Sequence, residues 1–246
     1  MVQMGQGVNT GQPEASKRRE RAQRILDAAA QLILRWGFQK TTLDDVSRQA
    51  GVAKGTLYLH WKTKEELFRV LMLREKLELA EDLKQRIYAD PAGGTLRSIL
   101  KHSVLALMQR PLLKAILLGD MEVLGKLAHG KQSSVAQAEK LMGFKIYLEL
   151  LREYGLVRTD LSLQAQVYMF SAIFMGYFCV APLMPDDFTL ADEELADLMA
   201  ETVHCTLEAG CAIPSGALQA VSHAFKQYLD NAIEMAQEQF QKEVGS

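Results

Sequence analysis

In segment after segment of this chain the apolar residues recur three and four positions apart, and no segment sustains an alternation of period two. Spacing of three and four lines one face of an α-helix, whereas a half-buried strand needs every second residue. The fold class is therefore all-α. Near the end of the chain Leu218, Val221, Phe225, Tyr228, Leu229, Ala232, Ile233 and Ala236 keep that spacing, a stripe that must be buried on its own domain or on a partner.

Punctuation sets the helix limits. A first helix after Ser16 is expected to bury Ile25, Ala29, Leu32, Ile33 and Trp36 and to stop at Gly37, which lacks the Cβ that disfavours a left-handed backbone. Thr42 opens a short helix with Asp45 as its reciprocal cap and Leu43, Val46 and Ala50 as its inner face. Gly51-Val52 then turns the chain into a third helix, Ala53 to about His60, with Leu57 inward. Thr63 and Glu66 form a second capping box, starting a long helix that Asp90-Pro91-Ala92-Gly93-Gly94 ends. Further helices are expected at about 95–109, 112–118, before Gly130, 134–154 (capped by Ser134 with Gln137, closed by Gly155), 162–181, 190–209 and 216–243.

A chain of 246 residues that is 48% apolar and 24% charged has material for a sizeable core and is too ordinary for a disordered or collagen-like protein. Its formal charge of −2 hides an asymmetry. Residues 1–64 hold 11 basic and five acidic side chains, and the remainder holds 17 basic and 25 acidic. A basic head on an acidic body suits a partner that is a polyanion. Cys179, Cys205 and Cys211 are too few and too irregular for a disulfide framework, so reduced thiols and a cytoplasmic location are expected. The Gly/Gln-rich stretch Met1–Ser16 has no apolar core of a secretory signal. Leu161–Pro185 runs 25 residues without a charge but contains Gln164, Gln166, Ser162 and Ser171. It reads as a helix buried in a core or subunit contact and not as a membrane span.

Residues Thr41 to Tyr58 have the pattern of a helix-turn-helix: two short helices meet at a glycine, with Val46, Ala50, Val52 and Leu57 filling the crossing. In such a unit the second helix enters the major groove with its first residues toward the base edges. Here those are Ala53, Lys54, Gly55 and Thr56. Lys54 has the donor for guanine N7 or O6, and Tyr58, His60, Lys62 and Lys64 have donors for phosphates. The helix starts at Thr42 and Thr63 add free N–H groups. An ordinary helical corner containing glycine gives a similar pattern.

Over residues 41–68 the run Ala-Gly-Val-Ala-Lys-Gly-Thr-Leu-Tyr-Leu-His-Trp-Lys-Thr-Lys-Glu-Glu-Leu-Phe resembles the signature of the TetR family of transcriptional regulators, and the helix with Ile25, Ala29 and Gly37-Phe38 resembles the same domain. The resemblance covers about the first 70 residues. It implies a homodimer with two DNA-binding heads and a larger helical domain that binds a small effector. It assigns DNA-backbone contacts to Thr42, Tyr58, His60 and Lys64, and base-facing positions to Lys54, Gly55 and Thr56. Trp61 stands where the family has an inward apolar residue, and Ala53 departs from the usual Ser. The implied division is a tail at 1–16, a DNA-binding domain at 17–66 and an effector and dimerisation domain at 67–246.

Met108, Met121, Phe144, Tyr147, Phe170 and Phe174 are candidates to line a cavity for a mainly apolar effector, with core packing as the alternative. Tyr168, Ile173, Tyr177, Val180, Leu195, Met199 and Val203 are candidates for the dimer seam. No acid/base or nucleophile spacing suggests an enzyme, and no cofactor is expected. His204-Cys205 with Cys211 is a weak metal pattern, so no metal is expected either. Two other readings stay open: a regulator without a small-molecule effector, and a helical carrier or enzyme whose helical corner is incidental. Lys17-Arg18-Arg19-Glu20-Arg21 offers a basic arm for a minor groove or for phosphates, with a solvated first helical turn as the alternative. Removing residues 1–16 while keeping that run is expected to leave DNA affinity unchanged in a binding titration.

Overall fold

A computed structural model describes residues 11–120, 123, 132–210 and 215–245. Its helices are α1 (Gly11–Lys40), α2 (Leu43–Gln49), α3 (Lys54–His60), α4 (Lys64–Ala89), α5 (Leu96–Met108), α6 (Pro111–Leu118), α7 (Gln132–Glu153), α8 (Leu163–Val180), α9 (Asp192–Leu207) and α10 (Ser215–Gly245). No strand occurs among the described residues, and Val157 and Glu208 form an isolated antiparallel bridge. The helix expected before Gly130 lies outside the described residues.

The local chemistry explains most of the limits. At Gly37 (φ 79°, ψ 158°) α1 breaks into a conformation that a side chain would strain. The buried Thr41 hydroxyl then donates to the Gly37 carbonyl at 2.9 Å, closing the frayed end. Thr95 and Ser162 cap α5 and α8 by accepting from the amides of Ser98 and Ala165. Gly155, at φ 69°, takes the left-handed turn after α7. The expected cap at Ser134 is not one, because α7 already begins at Gln132.

The chain divides into two compact units. One comprises the described residues up to Arg74 together with those from Ala236 onward, and the other runs from Glu75 to Met235. The first has its core in Ile25, Leu26, Ile33, Phe38, Val46, Leu57, Trp61, Leu67 and Leu71, with Phe240 and Val244 of α10 also buried. Arg69 holds Glu243 through two parallel hydrogen bonds of 2.5 and 2.8 Å, a fork that fixes orientation as well as charge. Trp36, expected in the core, is 42% exposed, since it sits one position before the break and its side chain leaves the buried stripe.

In the second unit α5 packs along α9. Leu100, Val104 and Leu107 of the one, and Leu195, Ala196, Met199 and Val203 of the other, are buried. Ile87, Ile99, Phe225 and Leu229 form a cluster against which Leu83 and Tyr147 pack. Buried Glu208 accepts from the Arg97 amide in the first turn of α5, and pairs with His204 Nδ1, both at 2.8 Å. The free N–H groups of a helix start thus satisfy a carboxylate that burial would otherwise penalise.

Leu163–Leu183 is long and apolar enough to cross a membrane by composition alone, and 11% of its window is buried within the chain. Of α8 only Gln166 and Phe178 are buried in the single chain, so of the two expected settings, a core or a subunit contact, the first does not hold for most of its surface. The reason is positional: α8 is fixed at its start, where Gln166 accepts from Arg152 and donates to the Arg158 carbonyl, while Gln164, Tyr168 and Ala172 further along are exposed.

A Cβ at Gly94 would lie 2.4 Å from Ser222 Oγ and 2.7 Å from the Ser222 backbone N and Cα. The backbone cannot yield as a flexible side chain would. Gly94→Ala is expected to lower folding stability by about 1–3 kcal/mol in chemical denaturation, the range for overpacking a close contact.

Candidate nucleic-acid interface

The site begins with a cap. Thr42 Oγ1 accepts from the Asp45 amide at 3.2 Å and the Asp45 carboxylate accepts from the Thr42 amide at 3.1 Å, so α2 starts with its orphan donors satisfied reciprocally. The Thr42 hydroxyl bond holds the Asp45 carboxyl below the usual carboxylate range. After α2, Ala50 continues the turn, Gly51 crosses to φ 63°, and the Val52 amide returns to the Ser47 carbonyl at 3.0 Å. This tight link sets the angle between α2 and α3. Ala53 caps α3 with backbone alone, as a residue without a side-chain acceptor must.

One side of α3 is bound inward through Leu57, fully buried, and the next residue after the helix, Trp61, is 3% exposed. Trp61 is therefore core. Lys54, Gly55, Tyr58 and Leu59 are exposed, and Thr56 and His60 are half-buried. The Lys54 ammonium lies 2.7 Å from the Asp44 carboxylate and 6.0 Å from the Tyr58 ring centre. That hydrogen bond to Asp44 raises the Lys54 pKa above its ordinary value, keeping it cationic. Lys62 is exposed, and its amide is accepted by Glu66, whose own amide is accepted by Thr63 Oγ1. The second capping box is thus shifted by one residue on its return bond.

Lys64 has a structural role that the sequence does not show. Its ammonium donates to the carbonyls of Phe38 at 2.7 Å and Gln39 at 3.2 Å and sits 4.3 Å above the Phe38 ring. It joins the start of α4 to the end of α1, because the last carbonyls of a helix are strong acceptors for a cation. Of the two expectations for the basic run, an arm or a solvated helical turn, the structure has the helix: residues 17–24 lie within α1. Arg18 and Arg21 act on His60, whose pKa is lowered first by burial and then by these two charges. The basic first turns of α1 and the end of α3 therefore form one positive region.

Leu59 was given no role by sequence, yet it is 77% exposed on α3. Its apolar character suggested nothing to distinguish it from a core leucine. The periodicity of α3 supplies the missing signal, since Leu59 is two positions after Leu57 and falls on the opposite side of the helix.

The remaining candidates divide. Phe144 and Phe170 stack with ring centres 4.3 Å apart, Phe174 meets Phe178 edge-on at 5.4 Å, and Met108 is half-buried. Tyr147 is a core residue: it packs against Phe225 and donates its hydroxyl to the Gly94 carbonyl, and burial pushes its pKa well up. Met121 lies outside the described residues. A surface cleft of about 560 Å³ is bordered by Asp90, Arg97, Ser98, Lys101, Glu194, Asp197 and Glu201, among others, and by none of the expected effector residues. Of the seam candidates, Leu195, Met199 and Val203 are at most 9% exposed in the single chain and are core. Tyr168 and Val180 are exposed, Ile173 and Tyr177 half-buried, and the Tyr177 hydroxyl lies 2.8 Å from Thr202 Oγ1.

Two short helices at a glycine turn, with the second presenting an open face beside a positive region, define a helix-turn-helix protein. The family model "Bacterial regulatory proteins, tetR family" matches residues 25–71. The HTH-type transcriptional regulator AcrR of Shigella flexneri is 31% identical over 120 residues, 46% of this chain and 55% of that protein. The fatty acid metabolism regulator protein of Bacillus subtilis (strain 168) is 32% identical over 78 residues, 30% of this chain and 40% of that protein. The chain spans about half the length, or less, of these curated relatives. Among solved structures, SmeT, the repressor of the Stenotrophomonas maltophilia multidrug efflux pump SmeDEF, shares the fold with a TM-score of 0.55 at 19% identity, over 78% of this chain and 95% of that one. Over residues 25–71 the chain is thus similar to the tetR family of bacterial regulatory proteins.

Because the His60 pKa lies below 6.5 in the folded chain, the unfolded chain takes up the proton more readily. The stability that neutral His60 contributes is present above about pH 6.5 and lost as the pH falls through the folded value. Denaturation midpoints measured from pH 7.5 to 5 are expected to fall less steeply for His60→Gln than for the natural chain.

Proposed function

We propose that this chain is a ligand-responsive transcriptional repressor that binds a partly palindromic operator as a cytoplasmic homodimer, with α3 in the major groove, and leaves it when a small, mainly apolar effector binds. The observation that carries the DNA reading is the open face of α3, Lys54, Gly55, Tyr58 and Leu59, beside the positive region formed with Arg18 and Arg21. Thr42, Thr56, Tyr58, His60 and Lys62 are assigned to groove-edge and phosphate contacts, and Lys54 to the edge of the base-facing side. Lys64 acts through the fold, by holding the end of α1. The unit containing residues 17–66 is assigned to DNA binding, and the unit from Glu75 to Met235 to effector binding and dimerisation.

The dimer is supported by the outer face of α8 and the turns after it. Tyr168 (78%), Val180 (46%), Leu183 (76%) and Phe188 (69%) are exposed in the single chain. Exposed apolar side chains of that kind suit a partner, and in a closed dimer the same surface meets its own copy. Phe144, Phe170, Phe174 and Met108 are retained as effector contacts. Flat and flexible apolar side chains suit such a ligand. SmeT has been solved in complex with triclosan. Release follows only if the effector prefers the state in which the two heads no longer match the half-sites, since equal affinity for both states shifts nothing.

Fluorescence anisotropy with the DNA upstream of the chain's own gene tests the reading. Specific binding should exceed nonspecific binding by at least about 1,000-fold, and a panel of apolar compounds should contain one that releases it. Lys62→Ala should weaken all sequences alike and make the salt slope shallower by about 1. Equal affinity for upstream and scrambled DNA would contradict the reading.

A further inference from the structure

The face that α3 turns outward is not its basic one. A helix advances about 100° per residue, so Gly55 and Leu59 straddle the direction opposite the buried Leu57. Lys54 and Tyr58 lie to one side of that direction, where Lys54 is already paired with Asp44 at 2.7 Å. Gly55 has no side chain, and the space where its Cβ would stand is open for 4 Å. The central outward side chain of the helix is therefore Leu59, 77% exposed.

We propose that Leu59 is a specificity-determining residue that reads the 5-methyl group of thymine in the operator. The proposal rests on the DNA-binding reading above. Among the groups that B-DNA presents in its major groove, the thymine methyl is the apolar one, and the others are hydrogen-bond donors and acceptors. A leucine pressed onto those polar groups would strip their water without replacing its hydrogen bonds, so it selects against them as well as for the methyl. Gly55, one turn earlier on the same face, removes the side chain that would hold the helix away from the bases. The apolar tip then reaches the groove floor while Lys54, Tyr58 and His60 remain at its edges.

The test uses the full chain. A preferred site is first selected from a random duplex library. Each thymine in it is then replaced singly by deoxyuridine, which removes the methyl and nothing else, and affinities are measured for the natural chain, Leu59→Ala and Leu59→Val. At one or more thymines in each half-site the natural chain should bind about fourfold more weakly without the methyl, the effect of losing one buried carbon. Leu59→Ala should be indifferent to the same replacement, and Leu59→Val should keep a reduced dependence that remains measurable if Leu59→Ala binds too weakly. Both variants should melt like the natural chain, since the side chain is exposed.

Uridine tolerated at every position by the natural chain would overturn the proposal, as would an undiminished uridine penalty in both variants. A library that yields no enriched site would overturn the DNA-binding reading and Leu59 with it. An enriched site without methyl dependence would overturn Leu59 alone.

Discussion

A seven-residue helix has no stability of its own, because nucleation costs more than so few hydrogen bonds return. Everything α3 does depends on Leu57 and Trp61 being buried and on the chain being clamped at both ends of the helix. The Gly51 turn fixes where α3 begins. The Lys64 ammonium on the Phe38 and Gln39 carbonyls fixes where the next helix starts. With one side and both ends held, the opposite side is left open and rigid, as a surface that reads shape must be.

The same economy explains why charge is a poor guide to the reading surface. Of the cations near α3, Lys64 is absorbed by α1 and Lys54 is shared with Asp44, while Arg18 and Arg21 in α1 supply the field felt at His60. Positive charge at the rim and a nearly apolar centre divide the work in the way DNA recognition requires, since phosphates give affinity and base edges give sequence. The joining of residues from Ala236 onward to the helix-turn-helix unit, through Phe240, Val244 and the Arg69–Glu243 fork, adds a second support to α4 within that unit.

Much of the fold was legible because it is written in local chemistry. Thr42 with Asp45, Thr63 before Glu66, Gly37 and Gly155 act within a few residues of themselves, and the structure uses each near its expected place. What was not legible depends on distant partners. An apolar stripe says that a face is buried but not against what. Leu195, Met199 and Val203 were thus assigned to a seam although α5 covers them, and Tyr147 was assigned to a cavity although it bonds to Gly94. A lysine carries its charge in the sequence but not its acceptor, so the Phe38 and Gln39 carbonyls that Lys64 bonds are not legible there. Leu59 is illegible for the converse reason, that an apolar residue points inward by default until its neighbour Leu57 fixes the face.

The central claim is that the outward face of α3, with the first turns of α1, is the surface that meets DNA. Hydrogen–deuterium exchange of the full chain with and without its selected duplex tests that most directly. Protection concentrated in residues 16–24 and 54–62 is the predicted result. Protection confined to the unit from Glu75 to Met235, with α3 exchanging as in the free chain, would contradict it.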